Sequence, residues 1–259
     1  MKKPTSAAAA LPVRRLGIRR RAGRAVPVSI GPRPRLARLD ALRGLAVVLM
    51  VAHHFLYDLV WLWAAPPWLF WNPVFHVLHN LFVGVFVGLS GICCRFSRSN
   101  LRRGIQLLSC AMAVTAVSTA AGRPVLFGIL HLLAFCMLFY SLAGRWTDRL
   151  PLPVHAAAFS LSLLWLRTTA LRSPLLWFLG TPWPALRSAD YFPIFPWLFL
   201  FTAGARLGGA LLRWQFTARR AGPLARVGRH ALPLYLLHQP VLLGVLTLLL
   251  QVKEWFLKL

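Results

Sequence analysis

Seven apolar runs, separated by short gaps that are rich in arginine, constrain the fold of this 259-residue chain most strongly. The runs cover residues 39–63, 75–94, 104–121, 125–143, 152–167, 191–212 and 231–250. A helix needs about 20 apolar residues to cross the hydrocarbon core of a bilayer, and each run comes near that length. The sequence therefore predicts an all-α protein, a polytopic transmembrane bundle of about seven helices.

The basic residues are divided unequally between the two sides of the predicted bundle. The chain has 30 Lys and Arg but only five Asp and Glu. With the N-terminus inside, 23 basic residues fall on the inner side and six on the outer side. Because Lys and Arg favour cytoplasmic loops, this bias predicts an orientation with the N-terminus inside and the C-terminus outside. The expected location is the cell (inner) membrane, as a multi-pass protein. Nucleic-acid binders collect their basic residues on one face of a folded domain, so this spacing argues against a nucleic-acid partner.

The first 38 residues differ from the rest of the chain. They contain eleven basic residues, five prolines and no acidic residue. Such a segment cannot bury a core, so residues 1–38 are predicted to be a disordered cytoplasmic tail held by anionic headgroups. An organellar transit peptide is the alternative. Residues 39–259 are predicted to form the transmembrane domain.

Ionisable side chains inside apolar helices are costly, and they therefore mark candidate functional positions. Near the inner side, Asp40 and Arg43 share a helical face and are expected to pair. Arg229 and His230 open the last helix, and His238 follows in the same motif. Of these residues, Arg43, Arg229 and His230 suit the phosphates of a cytosolic cosubstrate. A helix cap, an ion pair and positive-inside anchors are the structural alternatives.

A second polar layer is predicted near the outer side. His54 and Asp58 lie four residues apart on one face of the first helix, the arrangement of a His–Asp general base. A purely structural pair is the alternative. His53 lies about 100° around the helix from His54, so it is expected to point elsewhere. Arg43 and His54 differ in depth by roughly 16 Å, at 1.5 Å per residue, so reactants from opposite sides would meet within the bundle.

Four further polar residues are predicted at the same outer depth, with interfacial caps as the alternative for each. They are His76, His79, His131 and Asp190. The spacing of His76 and His79 can ligate a metal, but no accompanying Cys or His motif supports one, and no metal is expected. The four cysteines all lie inside apolar runs and are interpreted as small buried hydrophobic residues.

Four motifs in matching order resemble the heparan-alpha-glucosaminide N-acetyltransferase catalytic-domain family, and the likeness is closest to its short bacterial branch. They are RLDALRGLAVVLMVAHHFLYDL, FGILHLLAF, DYFPIFPW and GRHALPLYLLHQP. The resemblance runs from about residue 36 to 250. It implies a membrane acyltransferase that takes acetyl from cytosolic acetyl-CoA and passes it to an amine or hydroxyl of a sugar on the far side.

The polar positions, taken with this resemblance, suggest roles for the candidate residues. His54 is expected to be the base, Asp58 to orient it, and His131 to assist it or to stabilise the oxyanion. The residues expected to hold acetyl-CoA are Asp40, Arg43, Arg229, His230 and His238. The residues expected to meet the acceptor are Asp190, His76 and His79.

The expected partners are membrane lipids and a sugar or glycolipid acceptor, with a homodimer left open. Two other classes of protein fit the same pattern. Intramembrane His and Asp also build the proton relays of transporters and flippases, although no internal repeat of the kind many transporters carry is seen. The third class is a non-catalytic membrane scaffold with a lipid-binding tail. The acyl chain, and the choice between an acyl-His intermediate and a ternary complex, stay open.

Overall fold

The apolar runs fold as helices. The computed structural model describes residues 37–211 and 222–257; the predicted tail, residues 1–38, lies almost entirely outside them. The eight described helices are α1 (Ala37–Leu62), α2 (Pro73–Cys94), α3 (Asn100–Ala120), α4 (Ile129–Thr147), α5 (Leu152–Thr168), α6 (Trp197–Leu211), α7 (Pro223–Arg229) and α8 (Ala231–Leu257). The described ranges contain no β-strand, which confirms the predicted all-α class.

Each predicted run corresponds to a helix, and α7 is an addition that the sequence did not suggest. Four described helices are long and apolar enough to cross a membrane: α1, α4, α8, and α2 with the 3₁₀ turn before it. The helix α6 is apolar but shorter, and α5 has only 17 residues. The chain is therefore a multi-pass membrane protein with a helical bundle.

The start of α6 differs from the prediction. The run was expected to begin at residue 191, but the helix begins at Trp197. Pro193 and Pro196 lack the N–H groups that a helix would use. The segment between them instead bonds to neighbouring loops, since Ile194 N donates to the Phe178 carbonyl at 2.8 Å.

Glycines allow the closest helix crossings. The helices α2 and α6 run parallel, and a Cβ added at Gly91 would lie 2.0 Å from the Phe201 carbonyl oxygen. A Cβ at Gly204 would lie 2.2 Å from the Gly88 carbonyl oxygen. Small residues permit this approach of two backbones. The GxxxG spacing of Gly84 with Gly88, and of Gly204 with Gly208, is typical of such packing.

The short helix α7 packs across the beginning of α1 through a second pair of glycines. A Cβ at Gly228 would lie 1.8 Å from the Asp40 carbonyl oxygen, and one at Gly44 would lie 2.0 Å from that of Leu224. The turn of chain before α8 is thereby fixed against α1, close to Asp40 and Arg43.

The direction of the helices defines two ends of the bundle. We call the end where α1, α3, α5 and α8 begin the basic end, because most loop arginines of the described residues lie there. The opposite end, where α2 and α4 begin, is called the histidine end. The helices α1 and α8 run parallel between them, and the indole N–H of Trp63, just after α1, donates to the Leu246 carbonyl of α8 at 3.3 Å.

Candidate active site

Four imidazole rings lie in a row near the histidine end, and we call this group the imidazole row. The ring centroids of His79 and His53 are 4.2 Å apart. Those of His53 and His54 are 5.5 Å apart, and those of His54 and His238 are 4.7 Å apart. The row therefore joins α2, α1 and α8 through side chains that are each only partly buried.

His54 and His238 are held in the same tautomer. The Nδ1 atom of His54 lies 2.9 Å from the Met50 carbonyl oxygen, and Nδ1 of His238 lies 2.6 Å from the Tyr235 carbonyl oxygen. A carbonyl oxygen only accepts, so Nδ1 carries the proton in both neutral rings. Each Nε2 then keeps its lone pair, and that of His238 is buried without a hydrogen-bond partner among the described residues. Both rings therefore keep a lone pair that can accept a proton.

Two sequence expectations about this row need correction. His53 was expected to point away from His54, but the two rings are in edge contact, because long side chains on adjacent positions can converge. His238 was assigned to the cosubstrate site at the inner mouth. It instead contacts His54, since α8 runs parallel to α1 and carries its eighth residue up to the row.

Asp58 does not make the predicted hydrogen bond to His54. Its carboxylate is 1% exposed and accepts from Gln239 Nε2, which is 3.0 Å from each of the two oxygens. The Nδ1 of His54, which Asp58 was expected to hold, is already bonded to Met50. Asp58 therefore joins α1 to α8 one helical turn beyond His54. The only signal of this partner was Gln239 itself, an isolated amide in an apolar helix.

His131 is buried, and both of its ring nitrogens are bonded. Gly128 N donates to Nδ1 at 3.3 Å, and Thr115 Oγ1 lies 3.2 Å from Nε2. The threonine hydroxyl proton goes to the Val125 carbonyl at 2.6 Å, so Nε2–H of His131 donates to the threonine oxygen. The ring has no free donor or acceptor, and it ties the start of α4 to α3. This geometry does not support the predicted catalytic assistance.

Asp190 is tied to the start of α4. Its Oδ2 accepts from Ile129 N at 3.1 Å, where the positive end of the helix dipole favours an anion. A Cβ at Gly128 would lie 2.4 Å from that oxygen, so the carboxylate in this position lies where a larger residue would project. Burial raises the pKa of the Asp190 carboxyl, and the Ile129 bond opposes that shift. His76 is exposed, so of the predicted pair only His79 reaches the imidazole row.

At the basic end, the predicted pair of Asp40 and Arg43 is present, with Nη1 and Oδ1 3.4 Å apart. The helix α7 lies against this turn of α1 and ends at Arg229. Among the described residues, the side chain of Arg229 makes one hydrogen bond, from Nε to the Ala225 carbonyl at 3.3 Å. His230 is exposed beyond it. Cationic donors from two packed elements thus face the same end of the bundle.

A second polar cluster at the basic end was missed in the sequence. Arg95 follows α2, and its guanidinium pairs with the Asp148 carboxylate just after α4. The Tyr140 hydroxyl accepts from Arg95 Nη1 at 2.6 Å and donates to Asp148 Oδ1 at 2.8 Å. One of only five acidic residues, placed in a gap between basic residues, was the available signal.

The family model for the catalytic region of heparan-alpha-glucosaminide N-acetyltransferase matches residues 35–240, well over half of the chain. The chain belongs to this family. Comparisons with curated proteins and with solved structures gave no match. Membership confirms the resemblance and indicates a membrane acyltransferase. Acetyl-CoA is the donor in this family in general.

Among the described residues, no group of three or more His, Cys, Asp or Glu side chains is placed to hold a metal ion. In a family of acyltransferases, a partly exposed imidazole with a free lone pair suits the removal of a proton from the acceptor.

Proposed function

We propose that this protein moves an acetyl or other short acyl group from acyl-CoA to an amine or hydroxyl of an extracytoplasmic sugar or glycolipid. The inner membrane is its proposed location, with the basic end towards the cytosol. The observation that carries the proposal is the pair of free Nε2 atoms on His54 and His238, in a chain of an acyltransferase family. The charge bias of the loops supports the orientation.

The donor is proposed to bind with its phosphates at the basic end. Arg43, Arg229 and His230 supply the cations, and Asp40 positions Arg43. The observed contacts suit this role, because Arg43 is only partly covered and the Nη groups of Arg229 make no hydrogen bond within the described residues. Guanidinium groups bind phosphate oxygens in a two-pronged geometry.

The proposed reaction uses His54 as the base. The acceptor N–H or O–H gives its proton to Nε2 of His54 as its nitrogen or oxygen bonds to the acyl carbon. The carbon–sulfur bond then breaks, and the CoA thiolate takes a proton from the protonated imidazole. His238 is proposed to bind or relay that proton beside His54, from which its ring centroid lies 4.7 Å away. The products are the acylated acceptor and free CoA.

His79 and Asp190 are proposed to contact the acceptor at the histidine end. The ring centroids of His79 and Phe192 are 6.0 Å apart, so the loop that carries Asp190 lies beside the imidazole row. Asp58 is proposed to act through Gln239, by fixing the register of α1 against α8 and so the spacing of His54 and His238.

Turnover by the purified full chain tests this proposal. Radiolabelled acetyl-CoA would be added in detergent, with and without a membrane glycolipid extract. We expect His54→Gln to lower acetyl transfer by about 100-fold or more, the usual contribution of a general base. Asn80→Ala is the control, because this exposed polar residue of α2 lies at the same end and has no proposed role, and it should retain activity.

Equal activity of His54→Gln and the wild-type protein would contradict the assigned base. Failure of the wild-type protein to turn over any short acyl-CoA would contradict the acyltransferase proposal itself. In that case proton-coupled transport, which also uses intramembrane histidines, would be measured in proteoliposomes.

A further inference from the structure

A polar cavity lies at the basic end, apart from the imidazole row. Its volume is about 190 Å³, and it is lined by Arg95, Asp148, Arg206 and Gly209. One water molecule needs only about 15 Å³ of such volume, so the cavity has room for a polar group of several atoms. Neither Arg43 nor α7 lines it, which separates it from the proposed donor site described above.

Arg95 is held in one position within this cavity. Asp148 and the Tyr140 hydroxyl both contact its Nη1 atom. A guanidinium has five N–H donors, so those on its other nitrogens are available to a ligand. The hydroxyl also bonds to the carboxylate, so the three groups brace one another. Little ordering of Arg95 would be needed when a ligand binds.

Two adjacent glycines let Arg95 lie against α6. A Cβ at Gly208 would lie 2.9 Å from Arg95 Cγ, and one at Gly209 would lie 3.1 Å from Arg95 Nη2. The guanidinium therefore rests where side chains would otherwise project from the helix. On one side of Arg95, the wall of the cavity is therefore formed by the backbone of α6 at Gly208 and Gly209.

Arg206 supplies a second cation, one helical turn before Gly209. Its Nε is buried and has no hydrogen-bond partner among the described residues, and no described carboxylate forms an ion pair with it. Buried polar atoms are almost always bonded to protein, water or ligand. Since Asp148 balances only one of the two arginines, the cavity carries a net positive charge.

We propose that this cavity binds a phosphate group. Two guanidinium groups, one preorganised and one unpaired, match the several oxygens and the negative charge of a phosphate. The phosphate can belong to a soluble molecule such as the acyl-CoA donor or to a lipid headgroup at the basic end. The first source rests on the proposed function, and the second does not.

Binding to the purified full chain, freed of lipid in neutral detergent, tests the proposal. Inorganic pyrophosphate is the soluble probe. Mixed micelles of phosphatidate are the lipid probe, with diacylglycerol micelles as the phosphate-free reference. We expect Arg206→Gln to weaken phosphate binding by at least about tenfold, as loss of a charged hydrogen-bond partner does. The control is Arg145→Gln, which removes an exposed arginine from the same end and should bind as the wild type does.

Gly209→Leu provides a second variant, which fills the cavity while keeping both arginines. It should also lose phosphate binding, and it carries the test if Arg206→Gln does not fold. Binding of pyrophosphate assigns the site to a soluble ligand, and binding of phosphatidate alone assigns it to a headgroup. Absence of binding by the wild type in both arms, or equal binding by Arg206→Gln and Arg145→Gln, would overturn the proposal. Neither arm requires turnover, so an inactive protein that still binds phosphate through Arg206 would refute only the proposed function.

Discussion

The crossing of α2 and α6 can be tested with two alanine substitutions one turn apart. A Cβ at Gly91 would lie 2.0 Å from the Phe201 carbonyl oxygen. Ordinary contact begins at 3.4 Å, so the methyl group is 1.4 Å too close to a backbone atom that cannot rotate away. A Cβ at Gly88 meets nothing within 4 Å. The same substitution therefore has opposite steric consequences at the two positions.

The expected difference follows from these distances. Replacing glycine by alanine within a helix is favourable by about 1 kcal/mol at both positions. Overpacking costs roughly 1–3 kcal/mol, and it applies only to Gly91→Ala. At about 2–4 °C per kcal/mol for a chain of this size, Gly91→Ala should unfold roughly 2–12 °C below Gly88→Ala.

Thermal unfolding of both variants in the same detergent, at the same scan rate, measures this difference. A common scan rate is needed because membrane proteins often unfold irreversibly, and the midpoint then reflects a rate. Equal midpoints, or a higher midpoint for Gly91→Ala, would refute the claim that the two backbones touch at Gly91.

Two further predictions concern the polar contacts near the imidazole row. Gln239→Ala should destabilise the protein by about 1.5–3 kcal/mol, because the buried Asp58 carboxylate loses its amide donor. Thermal unfolding measures this loss of stability, with Gln251→Ala, an exposed change in the same helix, as the control. Equal midpoints of the two variants would contradict the contact between Gln239 and Asp58. Thr115→Val should lower stability by about 1–3 kcal/mol without a separate loss of turnover per folded molecule. A 100-fold fall in kcat for a well-folded Thr115→Val protein would show that His131 takes part in the chemistry.

The apolar runs were sufficient to predict where the helices lie, because an apolar run of about 20 residues is typical of a helix in a bilayer, although only four described helices are long and apolar enough to span one. The start of α6 was misplaced because composition cannot distinguish a helix from an apolar loop that finds backbone partners, as Ile194 does. The depth of a residue along its helix could also be predicted, and it correctly grouped His54 with His79. The rotation of each helix about its axis could not be predicted, and for this reason Asp58 was assigned to His54 rather than to Gln239.

Partners from distant segments account for the remaining differences. His131 lies at the predicted depth, but the Thr115 hydroxyl and the Gly128 amide occupy its nitrogens. The motif FGILHLLAF does not include Thr115, which belongs to the preceding helix. His238 was placed at the wrong end because the sequence did not show that α7 precedes α8 and lies across α1.

The distance between the two ends of the bundle bears on which donor the proposed reaction can use. Arg43 and His54 lie on one continuous helix, eleven residues apart, and so differ in depth by roughly 16 Å. A donor held by its phosphates at Arg43 reaches His54 only through a long arm between phosphate and acyl group, which acyl-CoA has and a compact acyl phosphate lacks. Binding energy from such a remote group can be used to place the thioester at the base. The glycine crossing of α1 and α7 brings Arg229 close to the turn of α1 that carries Asp40 and Arg43, so in the proposed reaction both arginines would favour a donor with a long arm.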